Sequence, residues 1–258
     1  MNIIRKMQER NASLFIFLLL ILFTTSCKVV QIPVEKEGST YRIDSKMEET
    51  NAKMNAVIAP YKEELDKKMN KVIGSSAKSL TKSKPESTLG NFVADVVLAE
   101  TIKQTGKPVD FAAQNYGGLR IAELPEGDLT IGKIFELMPF ENFCVVLEIE
   151  GAELMKFFER IADYGGWPVS SGVHFEIKGG APQNIFINGE VIDMKRTYHI
   201  ALPDYVANGG DKCAFFKELP RENTNLLIRD MIIEYIETLS EKGQKVDANM
   251  EGRIEFQD

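Results

Sequence analysis

The spacing of apolar residues changes once along this chain, and the change restricts it to a mixed architecture. Over 45–73, Met47, Met54, Val57, Ile58, Tyr61, Leu65, Met69 and Val72 recur every three or four residues, the period of an amphipathic helix, with a kink expected at Pro60. A Ser/Lys/Thr stretch over 74–85 reads as a loop or an edge strand. Leu89, Phe92, Val93, Val96, Val97 and Ile102 then mark a second helix, closed by Gly106 and Pro108. Beyond it the apolar segments shorten to strand length (109–113, 144–149, 173–177, 184–187 and 198–202) and lie between Gly, Pro and Asn turns. Two more helices, at about 152–162 and 224–239, interrupt them. No internal repeat or low-complexity tract is visible. The pattern predicts an α+β domain with a mixed sheet.

The N-terminus reads as an address. Arg5, Lys6 and Arg10 precede an apolar run over 14–23, too short for a stable membrane span, and small residues then lead to Cys27. This predicts a lipoprotein signal peptide over 1–26, lipidation of Cys27, a polar tether over 27–43 and the folded domain over 44–258. The expected location is the cell envelope, lipid-anchored on a periplasmic or outer-membrane face. Loss of the signal removes Arg5, Lys6, Arg10 and Glu9 and takes the net charge from −7 to −9. It also leaves Cys144 and Cys213 among apolar neighbours with no Cys-x-x-Cys spacing, which reads as two buried thiols.

Charge and composition exclude several functions. With 31 basic against 38 acidic residues, the chain lacks the phosphate-neutralising balance of a general nucleic-acid binder, so an anionic ligand must be held locally. The two histidines, His174 and His199, each fall in a predicted strand without a carboxylate at ligand spacing, and they cannot furnish a dinuclear metal centre. Phosphate-loop, dinucleotide-binding, zinc-protease and nucleophile-elbow motifs are missing.

The informative segments are loops. Glu86-Ser-Thr-Leu89-Gly90-Asn91 opens the second helix, with Asp95 one turn in. Asn115-Tyr-Gly117-Gly118-Leu-Arg120 follows a strand; its glycines permit close backbone approach to a ligand, and Arg120 adds a planar fork suited to phosphate or carboxylate. Met138-Pro139-Phe140-Glu141-Asn142 leads into a strand, and Tyr205-Val-Ala-Asn-Gly209-Gly210-Asp211 ends another in a glycine turn and a carboxylate. Each has a bland reading beside the functional one. Phe140 and Tyr205 suit a core, Arg120 suits a structural ion pair, and Asp211 suits a turn cap. Glu86 and Asn91 suit the free N–H groups of a helix start.

Together with Ser171-Gly172, these segments in this order and spacing resemble the C-terminal domain of the 5′-nucleotidase family, over about 44–258. The resemblance implies a four-layer α/β/β/α domain with mixed sheets that binds the nucleoside part of a nucleotide. It implies that Phe140 and Tyr205 sandwich the base, Asn142 meets its edge, Asp211 takes the ribose hydroxyls and Arg120 the phosphate, with Asn115, Gly117, Gly118, Gly209 and Gly210 contributing from their loops. In that family the metals and the hydrolysis belong to a separate N-terminal metallophosphatase domain. Its Asp-x-His and Gly-Asn-His-Asp/Glu motifs do not occur here, so no catalytic residue, metal ligand or cofactor is assigned to this chain. Divalent metals are expected on a partner metallophosphatase chain. Some members carry extra arginines where this chain has Ser79 and Ser83; Lys82 and Lys84 are close by but are expected to point elsewhere. Three functions fit: the recognition half of a split 5′-nucleotidase, a non-catalytic nucleoside-binding envelope lipoprotein, or, given the missing arginines, a degenerate domain kept only for protein contacts. No nucleic-acid polymer is expected as a partner.

Overall fold

The computed structural model describes residues 52–257; the signal segment, Cys27, the tether and expected helical residues 45–51 lie outside the described residues. The first described helix, α1 (Ala52–Met69), contains Pro60. Its apolar residues Val57, Ile58, Tyr61 and Leu65 are exposed. Residues 74–85, expected as loop or edge, form two short strands together with Val72 and Ile73, expected in the helix but lying beyond its end at Met69. β1 (Val72–Ser76) pairs antiparallel with β5 (Gly127–Thr130), and β2 (Leu80–Thr81) with β4 (Glu123–Leu124).

Local chemistry fixes the limits of α2 (Thr88–Thr105). Ser87 has extended backbone, and its Oγ accepts from the Gly90 N–H at 3.0 Å, satisfying a donor that the helix start leaves free. At the other end Gly106 adopts φ 66°, and its N–H closes on the Ile102 carbonyl.

A four-stranded sheet in the order β11-β6-β10-β3 forms the centre. β3 (Phe111–Ala112) runs parallel to β10 (Thr197–Pro203); β6 (Phe143–Glu150) is antiparallel to β10 and to β11 (Arg221–Leu227). Strand alternation splits its residues between two cores. Phe111, Val145, Leu147, Ile149, Ile200 and Leu202 enter one; Ala112, Cys144 and Ala201 enter the other. The second core is completed by α2, α3 (Ile131–Leu137) and α5 (Ile228–Glu241).

The first core is completed by α4 (Gly151–Tyr164) and a second sheet, ordered β12-β7-β8-β9. There β7 (Val173–Lys178) pairs antiparallel with β8 (Ala181–Ile187) and parallel with β12 (Ile254–Gln257), while β9 (Glu190–Val191) edges β8. Phe158 of α4 joins the two sheets, its ring lying 5.9 Å from Phe111 and 5.3 Å from Phe175. This is the mixed α/β arrangement, with mixed sheets, that the periodicities predict.

The last helix also differs from expectation. The segment 224–239 becomes helical only at Ile228, because its first residues belong to β11. Thr224 Oγ1 donates to the Cys144 carbonyl at 2.7 Å, and Asn225 turns the strand with φ 59°.

Cys144 and Cys213 are free and buried in different cores, as the sequence suggests. Burial pushes the Cys144 thiol up to about 11 and the Cys213 thiol up to about 12, so neither offers the thiolate that alkylation needs at neutral pH. At pH 8 both are expected to resist iodoacetamide in the folded chain and to react fully in denaturant, with peptide mapping as the readout.

Candidate functional site

Because β3 and β10 are parallel and β6 is antiparallel to β10, the chain leaves β3 and β10 and enters β6 at the same end of the central sheet. Three loops converge there: 113–120 after β3, 138–142 before β6, and 204–211 after β10. Between them lies a cleft of about 300 Å³, lined by Arg120, Phe140, Asn142, Tyr205 and Asp211 together with Asn115, Gly117 and Gly118. Gly209 and Gly210 do not line it; they shape the turn beneath. A Cβ on Gly210 would stand 2.5 Å from the Tyr205 ring, and Gly209 has φ 90°. A larger depression, about 360 Å³, lies between Lys107, His199 and Glu222. None of the expected site residues reaches it, and Lys107 and Glu222 already pair there.

The exposure of the two aromatic residues decides between core and platform. Phe140 is 43% and Tyr205 47% exposed, so neither ring is part of a core. The Arg120 guanidinium lies 5.6 Å from the Phe140 ring centre and donates to the Gly117 carbonyl at 3.3 Å. Among the described residues Arg120 makes no ion pair, so the structural-pair reading is not supported there.

Asp211 adopts φ 50°, a left-handed conformation that costs a non-glycine residue about 1 kcal/mol or more. It is held at both ends. Its backbone carbonyl accepts from Arg160 Nε at 2.7 Å, and its Oδ2 accepts from Asn115 Nδ2 at 2.6 Å. The Tyr205 hydroxyl stands 3.4 Å from Oδ1. These partners are side chains, so Asp211 does not cap its own turn.

Neither Lys82 nor Lys84 lines the cleft. Lys82 Nζ stands 4.0 Å above the Tyr116 ring, between the site residues Asn115 and Gly117, and donates to the Leu119 carbonyl at 2.7 Å. Lys84 Nζ lies 5.0 Å from the same ring and 3.7 Å from that of Tyr164. Burial, then the nearby Arg120 and Lys84 charges, hold the Lys82 ammonium below its ordinary range. Tyr116 thus gathers two cations close to Arg120 but outside the lining of the cleft, a contact that lysine spacing alone did not reveal. Ser79 is engaged with Glu123, and Ser83 donates to the Glu86 carbonyl at 2.6 Å.

The remaining motif residues are architectural. Glu86 Oε1 accepts from Asn91 Nδ2 at 2.6 Å and from the Glu251 N–H at 2.8 Å, while Oε2 accepts from the Arg253 N–H at 3.1 Å. Asp95 grips the buried Arg253 guanidinium with both oxygens, at 2.8 and 2.7 Å, and also accepts from the Ser171 N–H. Gly172, at φ 90°, leaves room for Asn188. His174 and His199 lie in β7 and β10, and among the described residues no group of three or more His, Cys, Asp or Glu is placed to hold a metal ion.

The model of the 5′-nucleotidase C-terminal domain family matches residues 67–218, more than half of the chain. The chain belongs to that family. A 5′-nucleotidase precursor from Thermus thermophilus has a similar crystal structure, with TM-score 0.69 and 26% identity over 79% of this chain and 43% of its own. The trifunctional nucleotide phosphoesterase YfkN of Bacillus subtilis is 29% identical over 84% of this chain and 16% of its own length. The 5′-nucleotidase of Vibrio vulnificus is 26% identical over 84% and 39%. The chain thus spans less than half the length of these relatives.

Two outcomes follow from the geometry. Glu86→Ala takes an acceptor from three donors, of which the Asn91 amide and the Arg253 N–H are buried, and should destabilise the fold by about 3 kcal/mol, measured by urea unfolding. Lys82 titrates below 10.5 when folded, so its contribution to folding becomes more favourable as pH rises through the lowered value toward 10.5. An anion bound beside it reverses the shift. Binding should then take up protons in that alkaline window, seen as a buffer-dependent enthalpy in calorimetry.

Proposed function

We propose that this chain is the nucleotide-recognition part of a 5′-nucleotidase, acting with a metallophosphatase centre on another polypeptide and anchored to the cell envelope through lipid on Cys27. The observation that carries the reading is the convergence of Arg120, Phe140, Asn142, Tyr205 and Asp211, distant in sequence, on one cleft in a chain of this family. The anchor rests on the signal-like N-terminal sequence.

Each residue then has a physical task. The exposed faces of Phe140 and Tyr205 take the base, and stacking of this kind is worth about 1–3 kcal/mol per base with little dependence on its identity. Asn142 offers both a donor and an acceptor to the base edge. Asp211 accepts from the ribose hydroxyls through Oδ1. Arg120 holds the phosphate by charge-assisted hydrogen bonds, with Lys82 and Lys84 adding positive potential. In a mature chain of net charge −9 this local cluster is what attracts an anion. Substrate bound this way is oriented for hydrolysis by a centre outside the described residues.

Calorimetry tests the reading. Phe140→Ala and Tyr205→Ala should each weaken adenosine and AMP binding by about 1–3 kcal/mol. Unchanged affinity in both variants would remove its basis. The purified chain should release no phosphate from AMP with added divalent metal, and robust turnover would overturn the assignment of hydrolysis to a partner.

A further inference from the structure

A fixed polarity runs through the buried amides beside the cleft. An aspartate carboxylate offers acceptors, so the 2.6 Å contact from Asn115 to Asp211 Oδ2 determines which end of the Asn115 amide faces the cleft. Asn115 Oδ1 must then turn inward and meet a donor, and Gln114 Nε2 supplies it at 2.8 Å. Gln114 is fully buried, and its own Oε1 has no hydrogen-bond partner among the described residues. Turning Gln114 over would set its carbonyl against that of Asn115, so Asp211 dictates the orientation of both amides. Gly118 leaves room for the pair: a Cβ there would collide with Gln114 Nε2 and come within 2.8 Å of Asn115 Oδ1.

A buried polar side chain with one unpaired atom is unfavourable where an apolar residue of similar size would serve. Its donor is therefore the feature to explain. We propose that Gln114 is a positioning residue: it locks the Asn115 amide, which aims Asp211 Oδ1 into the cleft, and so makes the site select nucleosides with an intact 2′,3′-diol. The inference rests on the nucleoside reading above and goes beyond it, since it makes sugar selection depend on a residue that lines no part of the cleft. The Asp211 backbone is already fixed by Arg160. What Gln114 adds is the rotation of the carboxylate. With Tyr205 as far as 3.4 Å away, Oδ1 retains capacity to accept from a sugar hydroxyl.

The test is calorimetry on the full chain with adenosine and 2′,3′-dideoxyadenosine. The unaltered protein should prefer adenosine by about tenfold or more, as expected where a site hydrogen-bonds a substrate hydroxyl. Gln114→Leu and Gln114→Met should cut that preference to about threefold or less while leaving dideoxyadenosine affinity within about twofold. In an Asp211→Ala background, Gln114→Leu should change the ratio no further, because the group it positions is gone. Retention of the full preference in both Gln114 variants overturns the proposal. So does an equal fall for both ligands, which would mark Gln114 as merely structural. If the unaltered protein binds both ligands alike and Phe140→Ala still weakens binding, the nucleoside reading stands and this inference fails. If adenosine does not bind at all, the nucleoside reading itself fails and the inference with it.

Discussion

The parallel pairing of β3 with β10 is the contact on which the site depends. It is short, with Ile200 opposite Phe111 and Ala201 opposite Ala112, yet it brings the loop that starts at Ala113 beside the loop that starts at Asp204. The antiparallel partner β6 completes the arrangement, because Pro203 lies opposite Cys144 and residues 138–142 must arrive at the same end. A slip of one residue between these strands would exchange the two cores, since alternate residues face opposite sides. Phe111 and Leu147 would then compete for space with α2 and α5 while Ala112 faced Phe158. The burial pattern that stabilises the sheet is therefore the same constraint that aligns Asn115, Asn142 and Asp211.

A second set of contacts ties the end of the chain to its first core helix. Glu86 and Asp95 accept from the backbone and side chain of 251–253, more than 150 residues away, and Asp95 also holds Ser171. Arg253 is 1% exposed, and its charge is tolerable in the interior because two carboxylates and the Val169 carbonyl surround it. The segment resembling a ligand-binding motif at 86–91 is thus fully occupied with internal donors. The loops at 115–120, 140–142 and 205–211 keep polar atoms and aromatic faces directed outward.

What can be read from sequence follows the range of the interactions involved. The limits of α2 and the strand at 143–150 are visible because a cap, a glycine stop and alternating apolar residues act within a few positions. β11 is not: Asn225 and Thr224 give no local strand signal, and pairing with β6 overrides the helical pattern that follows. The seven-residue α3, capped by Thr130, is too short to show a period. At the site, Arg120, Phe140, Asn142, Tyr205 and Asp211 are all marked by loop motifs. Gln114 and the Lys82–Tyr116 stacking are not, because each depends on a neighbour fixed only by the fold.

The loops of the cleft span nearly a hundred residues of sequence, from Asn115 to Asp211, and nothing local holds them together. The cleft is thus a product of the tertiary fold alone: its closing contacts require β3 beside β10, and that pairing closes a long stretch of chain at an entropic cost. Partly folded chains with α2 or the β7–β8 hairpin formed would still lack it. A ligand that fits the cleft would bind only the completed molecule and would draw the population toward it by mass action, so occupancy doubles as quality control on the fold.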